Sequence, residues 1–236
     1  MRRAALVATA AWSFPALAPI VPPVARVLRL PRTLAQLTVT FDDGPHPEGT
    51  PAVLDALDAA GMKAIFFMVG ERVLAAPDVA REVAARGHQV AVHGHRHRLL
   101  LRLHPRAVAH DLELACETIA DATGAPLRHH RAPYGIYSWV ALREVRRRGL
   151  QPLLWSRWGH DWRGHRPPRK IAAEVTRDLG PGDVLLLHDG DDYSAPGSWR
   201  NTVAALPEIL TACSTAARTC GARRPSPSSA GRPSGP

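Results

Sequence analysis

Six short strand-like runs, Leu37–Phe41, Ala64–Met68, Gln89–Val92, Leu127–Arg131, Pro152–Trp155 and Val184–Leu187, punctuate the chain. Between and after them, stretches with helical patterning predict helices over Ala52–Ala60, Val79–Arg86, Arg106–Ala122, Trp139–Arg148, Ile171–Leu179 and Val203–Leu210. Several of these helices open with Pro or Asp and close at Gly61, Gly87, Gly124, Gly149 or Gly180, which are ordinary start and stop signals. Repeated strand–helix units predict an α/β fold with a parallel sheet or barrel. Periodicity does not separate a barrel from an open doubly wound sheet. In a barrel, residues just after strands gather on the C-terminal face, where active sites form.

With 236 residues and 45% hydrophobic content, the chain can bury one sizeable core. Its formal charge of +9 raises the question of a nucleic-acid partner, and the location of that charge answers it. Arg2, Arg3, Arg26, Arg29 and Arg32 precede every acid, and Arg218, Arg223, Arg224 and Arg232 follow the last one. The remainder sets 21 bases against 21 acids, which leaves no net field for phosphates, and no nucleic-acid partner is expected. The start is uncharged from Ala4 to Val24, so residues 1–32 are expected to be a signal peptide or membrane anchor with a linker, placing the protein outside the cytoplasm. Pro19 argues against cleavage after Ala18, and Pro15, Pro22 and Pro23 argue against a regular membrane-spanning helix. From Cys213 onward Ala, Ser, Thr, Arg, Gly and Pro dominate, and 213–236 is expected to be a disordered basic tail. Cys116, Cys213 and Cys220 cannot all pair, and none has metal-ligand spacing.

Two clusters carry candidate chemistry. Thr40-Phe41-Asp42-Asp43-Gly44-Pro45 places adjacent carboxylates directly after a strand-like run. A divalent metal taking an oxygen from one would leave the other ionised to act as a base; an acidic turn capping a strand is the plain alternative. His93-Gly94-His95-Arg96-His97 offers three imidazoles within five residues. His93 and His97 would share a face of a helical turn, and Asp43 would complete a two-His, one-carboxylate set with open positions. A pairing of His95 with either neighbour would instead need irregular backbone.

In this order the motifs resemble those of the NodB-homology polysaccharide deacetylases, carbohydrate esterase family 4. Thr40 to Pro45 matches the first motif, and His93 and His97 take the ligand positions of the second, with Gly94 where Ser or Thr is usual. That departure is expected to loosen the loop and spare ligation. Arg131-Ala132-Pro133-Tyr134-Gly135, Asp161-Trp162 and Leu186-Leu187-His188-Asp189 look like the third, fourth and fifth motifs, while His160 and Asp189 receive no role. The resemblance implies a distorted, incomplete (β/α) barrel over residues 33–212. It implies Asp42 as catalytic base, Asp43, His93 and His97 as metal ligands, and Arg131 orienting Asp42. It also implies an oxyanion-binding backbone N–H at Tyr134, and Pro133, Tyr134, Trp162 and Leu186 against the substrate. Expelling a sugar amine needs an acid, for which His188 is suited, and a hydrogen bond to Asp161 would raise its pKa.

The expected activity is metal-dependent removal of N-acetyl, or alternatively O-acetyl, groups from an amino-sugar polymer or oligosaccharide such as peptidoglycan or chitin. Zinc leads among the compatible ions, with Co2+, Ni2+, Mn2+ and Fe2+ also suited to the donors. Membrane or cell-wall association is expected through the N-terminus. A catalytically impaired carbohydrate- or cell-wall-binding relative is the alternative, motivated by Gly94 and by the lack of the strand that in the family follows the last helix. Without that strand an uncovered edge is expected to lower stability.

Overall fold

The structure is a computed structural model that describes residues 14–221; the outermost parts of the expected leader and tail, 1–13 and 222–236, lie outside the described residues. Seven strands, β1 (Thr38–Asp42), β2 (Ala64–Met68), β3 (Gln89–Val92), β4 (His129–His130), β5 (Gln151–Pro152), β6 (Arg157–Trp158) and β7 (Val184–His188), form one sheet. Every strand pairing in it is parallel, and the order is β5-β4-β3-β2-β1-β7-β6. This is the cyclic order of a barrel opened between β5 and β6, so the expected incomplete (β/α) barrel is the architecture found. Central strands read as unbroken apolar runs because helices cover the sheet; all five residues of β2, Ala64 to Met68, are buried.

The helices are α1 (Pro22–Val27), α2 (Gly49–Ala59), α3 (Gly70–Ala75), α4 (Pro77–Ala85), α5 (Pro105–Thr123), α6 (Trp139–Arg147), α7 (Pro168–Val175) and α8 (Ser198–Gly221). Each buries an apolar stripe, as with Val108, Leu112, Ala115 and Ile119 of α5. Gly124 ends α5 in the left-handed region, the stop that the sequence predicts. The short elements β6, α1 and α3 were not predicted; each is too brief to carry a full period.

Two expectations about the ends need correction. Residues 14–32, set apart by the sequence as leader and linker, pack onto the barrel: Ala18, Val24, Ala25, Leu28 and Leu30 are buried in the core. The segment runs past the open side of the sheet, where the Leu154 N–H donates to the Pro31 carbonyl and Arg32 Nε donates to the Trp155 carbonyl. Among the described residues no helix is long and apolar enough to cross a membrane. The predicted tail is also helical over 213–221, because its alanines favour helix and Cys213, fully buried, packs as a small hydrophobe. As for the expected uncovered edge, β1 and β7 lie beside each other inside the sheet, and its edges are the two-residue strands β5 and β6.

Candidate active site

The C-terminal ends of β1, β3 and β7 deliver the candidate residues to one cleft of about 240 Å³. It is lined by Asp42, Asp43, His93, His97, Tyr134, Trp162, Leu186 and His188 of the predicted set. Pro133 departs from expectation. It is buried and does not line the cleft, and its ring instead lies near Gly94, within 3.9 Å of an ideal Cβ there.

Asp42 ends β1, and Asp43 turns out of the strand with φ 79°, so the adjacent carboxylates take different directions. Asp43 Oδ1 lies 3.5 Å from His93 Nε2 and 3.3 Å from His97 Nε2. One donor atom from each of the three residues falls within 4.8 Å of the other two. His93 Nδ1 lies 2.8 Å from the Arg131 carbonyl, an acceptor, so Nδ1 carries the proton and Nε2 presents a lone pair to Asp43. Burial pushes the His97 pKa down to about 4, which leaves that ring neutral as a ligand must be. Burial works against ionising Asp43, but the neighbouring imidazoles of His93, His188 and His97 outweigh it and bring its pKa down to about 2. Asp43 Oδ1 is buried without a hydrogen-bond partner among the described residues. A buried carboxylate oxygen left in that way is costly, and a cation shared with two imidazoles satisfies it, so the residues fit a divalent metal.

His93 and His97 do not meet on a helical turn as predicted. They sit on an irregular loop after β3, and their ring centroids are 5.3 Å apart. His95 turns away and packs under Gly70, which excludes it from the ligand set. The loop is also firmer than the Gly94 departure suggests. Gly94 has φ 87°, and the buried Asp111 of α5 accepts from the His95 N–H at 2.9 Å and from Arg98 Nη2 at 2.7 Å. Further bonds run from the Gly70 N–H to the Gly94 carbonyl and from the Glu71 N–H to the His95 carbonyl, both 2.9 Å.

Arg131, fully buried, donates through Nη1 to Asp42 Oδ1 at 2.6 Å and to Thr40 Oγ1 at 2.8 Å. Its Nε and Nη2 donate to the Leu153 and Leu154 carbonyls, and its guanidinium lies 4.0 Å above the Phe67 ring. A buried charge satisfied so fully is a fixed support, and its bond to Asp42 Oδ1 leaves Oδ2 as the second oxygen, 3.8 Å from His93 Nε2.

The second half of the site comes from β7. His188 pairs in register with Asp42 across the β1–β7 ladder. Asp161 Oδ1 lies 3.0 Å from His188 Nδ1, while its Oδ2 accepts from the His188 N–H at 2.7 Å and from Thr202 Oγ1 at 2.9 Å. Burial alone would lower the His188 pKa, but the charge and hydrogen bond of Asp161 outweigh it and raise it to about 10. The imidazolium is therefore the stable form at neutral pH.

Other residues were not anticipated. Tyr193 lines the cleft and stacks on His97, and Trp155 and Trp158 extend the wall formed by Trp162. His160 sits against both Trp158 and Trp162, centroids 4.8 and 5.1 Å away. Asp189 is buried under Gly44 with Thr50 donating to it at 2.5 Å, and burial pushes its pKa up to about 7. The run Trp155-Ser156-Arg157-Trp158 was a visible aromatic signal; Tyr193 carried none, because only the fold brings its loop to His97. A second group, His46, Asp191 and Asp192, is a poor metal site. His46 Nδ1 accepts from the Glu48 and Gly49 N–H groups, so Nε2 carries the proton and faces Asp191 Oδ1 at 3.3 Å, and Asp192 pairs with Arg72.

Comparison with known proteins agrees with this geometry. The family profile described as polysaccharide deacetylase matches residues 32–153. A chitooligosaccharide deacetylase from a Bradyrhizobium species is 40% identical over 154 residues, covering 64% of this chain and 69% of that protein. One from Azorhizobium caulinodans is 32% identical over 191 residues, covering 78% of this chain and 90% of that protein. The crystal structure of a peptidoglycan N-acetylglucosamine deacetylase, 27% identical, superposes with a TM-score of 0.72 over 81% of this chain and 90% of that chain. The motifs first noticed in the sequence thus come together in the fold of their relatives, and the chain belongs to the polysaccharide deacetylases of the NodB-homology type, carbohydrate esterase family 4.

Proposed function

We propose that the chain hydrolyses the N-acetyl group of an N-acetylglucosamine unit in a chitin-like or peptidoglycan-like saccharide, with a divalent metal, zinc foremost, held by Asp43, His93 and His97. The observation that carries this reading is the division of labour across one cleft: three converging ligands and a free carboxylate on one side, a carboxylate-paired imidazolium on the other. The relatives point the same way, being chitooligosaccharide and peptidoglycan N-acetylglucosamine deacetylases.

When bound, the cation supplies a Lewis acid for the acyl oxygen and lowers the pKa of water in its shell. Asp42, aimed by Arg131, takes the proton of the attacking water. Hydroxide adds to the acyl carbon, and the Tyr134 backbone N–H helps hold the oxygen that gains charge. His188 then gives its proton to the nitrogen as the carbon–nitrogen bond breaks, releasing the sugar amine and acetate. Asp161 holds the His188 ring in the donating orientation. Trp162 and Leu186 enclose the acetyl methyl. O-acetyl hydrolysis is the lesser reading, because an ester expels its alkoxide with less need of His188. Arg2-Arg3 and the uncharged residues that follow them, ahead of the packed segment from Phe14 onward, support export, with the protein working outside the cytoplasm at the membrane or cell wall.

The test is acetate release from acetylated chito-oligosaccharide and from peptidoglycan, in chelator-treated protein before and after zinc is restored. Release that returns with zinc is expected. No release under either condition, from protein that binds zinc, would refute the deacetylase reading.

A further inference from the structure

The described residues expose six large apolar side chains: Leu17, Ile20, Val27, Leu74, Tyr134 and Trp139. Leu74 stands apart on α3. The other five belong to the N-terminal segment, the first residue of α6, and the turn that carries Tyr134 at the cleft. These pieces touch one another. The rings of Phe14 and Trp139 stack with centroids 6.5 Å apart, and an ideal Cβ at Gly135, next to Tyr134, would lie 3.1 Å from Pro19.

The exposure does not come from a loose tail. Ala18, Val24, Ala25, Leu28 and Leu30 fix the segment in the core, and Arg146 Nη2 donates to the Leu28 carbonyl at 2.5 Å. Firmly held in this way, it still leaves Ile20 65% and Val27 72% exposed. Apolar groups clustered on a rigid surface mark an interaction site.

Charge identifies the occupant. Between Phe14 and Phe41 the chain carries Arg26, Arg29 and Arg32 and no acid, and Arg26 and Arg29 are exposed. Arg143, its side chain 74% exposed, lies one turn after Trp139 on the same side of α6. The one acid of α6, Glu144, is largely buried and sits between Arg147 at 2.8 Å and the more distant Arg143 at 3.8 Å, so the helix keeps a net positive surface. Exposed apolar groups interleaved with arginines match the boundary of an anionic bilayer, where the former enter the acyl region and the latter meet phosphates. A second copy of the face would bring the same positive charges together, which disfavours self-association.

We propose that this face seats the protein on an anionic lipid surface, so that the cleft beside Tyr134 opens at headgroup level. The inference stands apart from the deacetylase reading. The experiment is co-sedimentation of the full chain, Ile20→Ser/Val27→Ser and Arg26→Glu/Arg29→Glu with phosphatidylglycerol–phosphatidylcholine vesicles and with phosphatidylcholine alone. Zinc-dependent hydrolysis of a soluble chito-oligosaccharide and thermal melting are measured in parallel. The unaltered chain should prefer anionic vesicles, and each double variant should bind them about tenfold less or weaker still. Melting and soluble activity should not change. Vesicle binding unaltered in both variants would assign it to residues outside this face and overturn the proposal. So would an unaltered chain that ignores vesicles, or one that dimerises through Ile20 and Val27 by ultracentrifugation.

Discussion

The ring of Tyr193 lies on the ring of His97, centroids 4.4 Å apart and 16° from parallel. His93 and His97 are therefore held in different ways. His93 is oriented by its bond to the Arg131 carbonyl, whereas His97 Nδ1 has no hydrogen-bond partner among the described residues. Stacking does that work for His97, with Tyr193 over its face, Tyr134 edge-on at 4.6 Å, and the Tyr193 hydroxyl donating to Glu71 Oε1 at 2.6 Å. Tyr193→Ala should weaken zinc binding by about ten- to a hundredfold, the usual effect of losing support behind a ligand. Tyr193→Phe, which keeps the stack, should remain near the original affinity. Competition against a chromophoric chelator reads both, and equal affinity in all three proteins would show that the stack does not position His97.

Asp42 and Asp43 are neighbours with separable roles. Asp42→Asn should retain zinc while lowering turnover by about 10²- to 10⁴-fold, the size of a lost general base. Asp43→Ala should lose zinc and turnover together. Metal content and acetate release on the same samples make the distinction, and an Asp42→Asn protein that turns over normally would remove Asp42 from the base role.

Arg131 is bound to Asp42 and to two carbonyls with no exposure to water. Arg131→Met leaves the Asp42 charge buried beside an apolar chain and should cost about 3–5 kcal/mol of stability. Urea unfolding measures it. A loss below about 1 kcal/mol would mean that water replaces the guanidinium at no great expense.

The folded-state pKa of His188, about 10, lies above its ordinary value of 6.5. The stabilisation from its pairing with Asp161 is thus complete below pH 6.5 and fades as pH rises through 10. In chelator-treated protein, the melting difference between the unaltered chain and His188→Gln should be largest near pH 6 and nearly gone above pH 10. A constant difference across that window would deny the charged pair.

Gly94 stands where the family usually has Ser or Thr, yet restoring a side chain should harm this protein. At φ 87°, an added Cβ would lie 3.2 Å from Asp111 Oδ2 and 3.3 Å from the Arg96 carbonyl. Gly94→Ser should cost about 1–3 kcal/mol. A higher melting temperature would show that the loop relaxes into a conformation suited to the hydroxyl.

Much of this site was visible in the sequence because its parts are local. The carboxylate pair and the His93–His97 spacing each sit at one strand end, and β2 and β7 announced themselves by apolar runs, with β1 mixed with Thr and the shorter β3 opening on Gln. The supports were hidden for the opposite reason. Asp111 reaches the histidine loop from mid-helix, and Thr202 reaches Asp161 from α8, so neither has a spacing to betray it. Pro133 was misjudged because it was assigned with its motif, whereas a buried proline shapes the turn that leaves Tyr134 in the cleft. Residues 14–32 were grouped with the leader because an uncharged, proline-broken stretch can equally be a leader or a strap over a core.

The register that sets Asp42 opposite His188 joins strands separated by nearly the whole barrel in sequence. During synthesis the proposed ligands Asp43, His93 and His97 leave the ribosome well before His188. A nascent chain that reaches only His97 carries the proposed ligands without the Arg131 carbonyl and the Tyr193 ring that hold them. It acquires an acid for the leaving amine only when β7 pairs with β1. Long-range closure of this kind is slow, so competence for hydrolysis should arise late and all at once, as the final event of maturation.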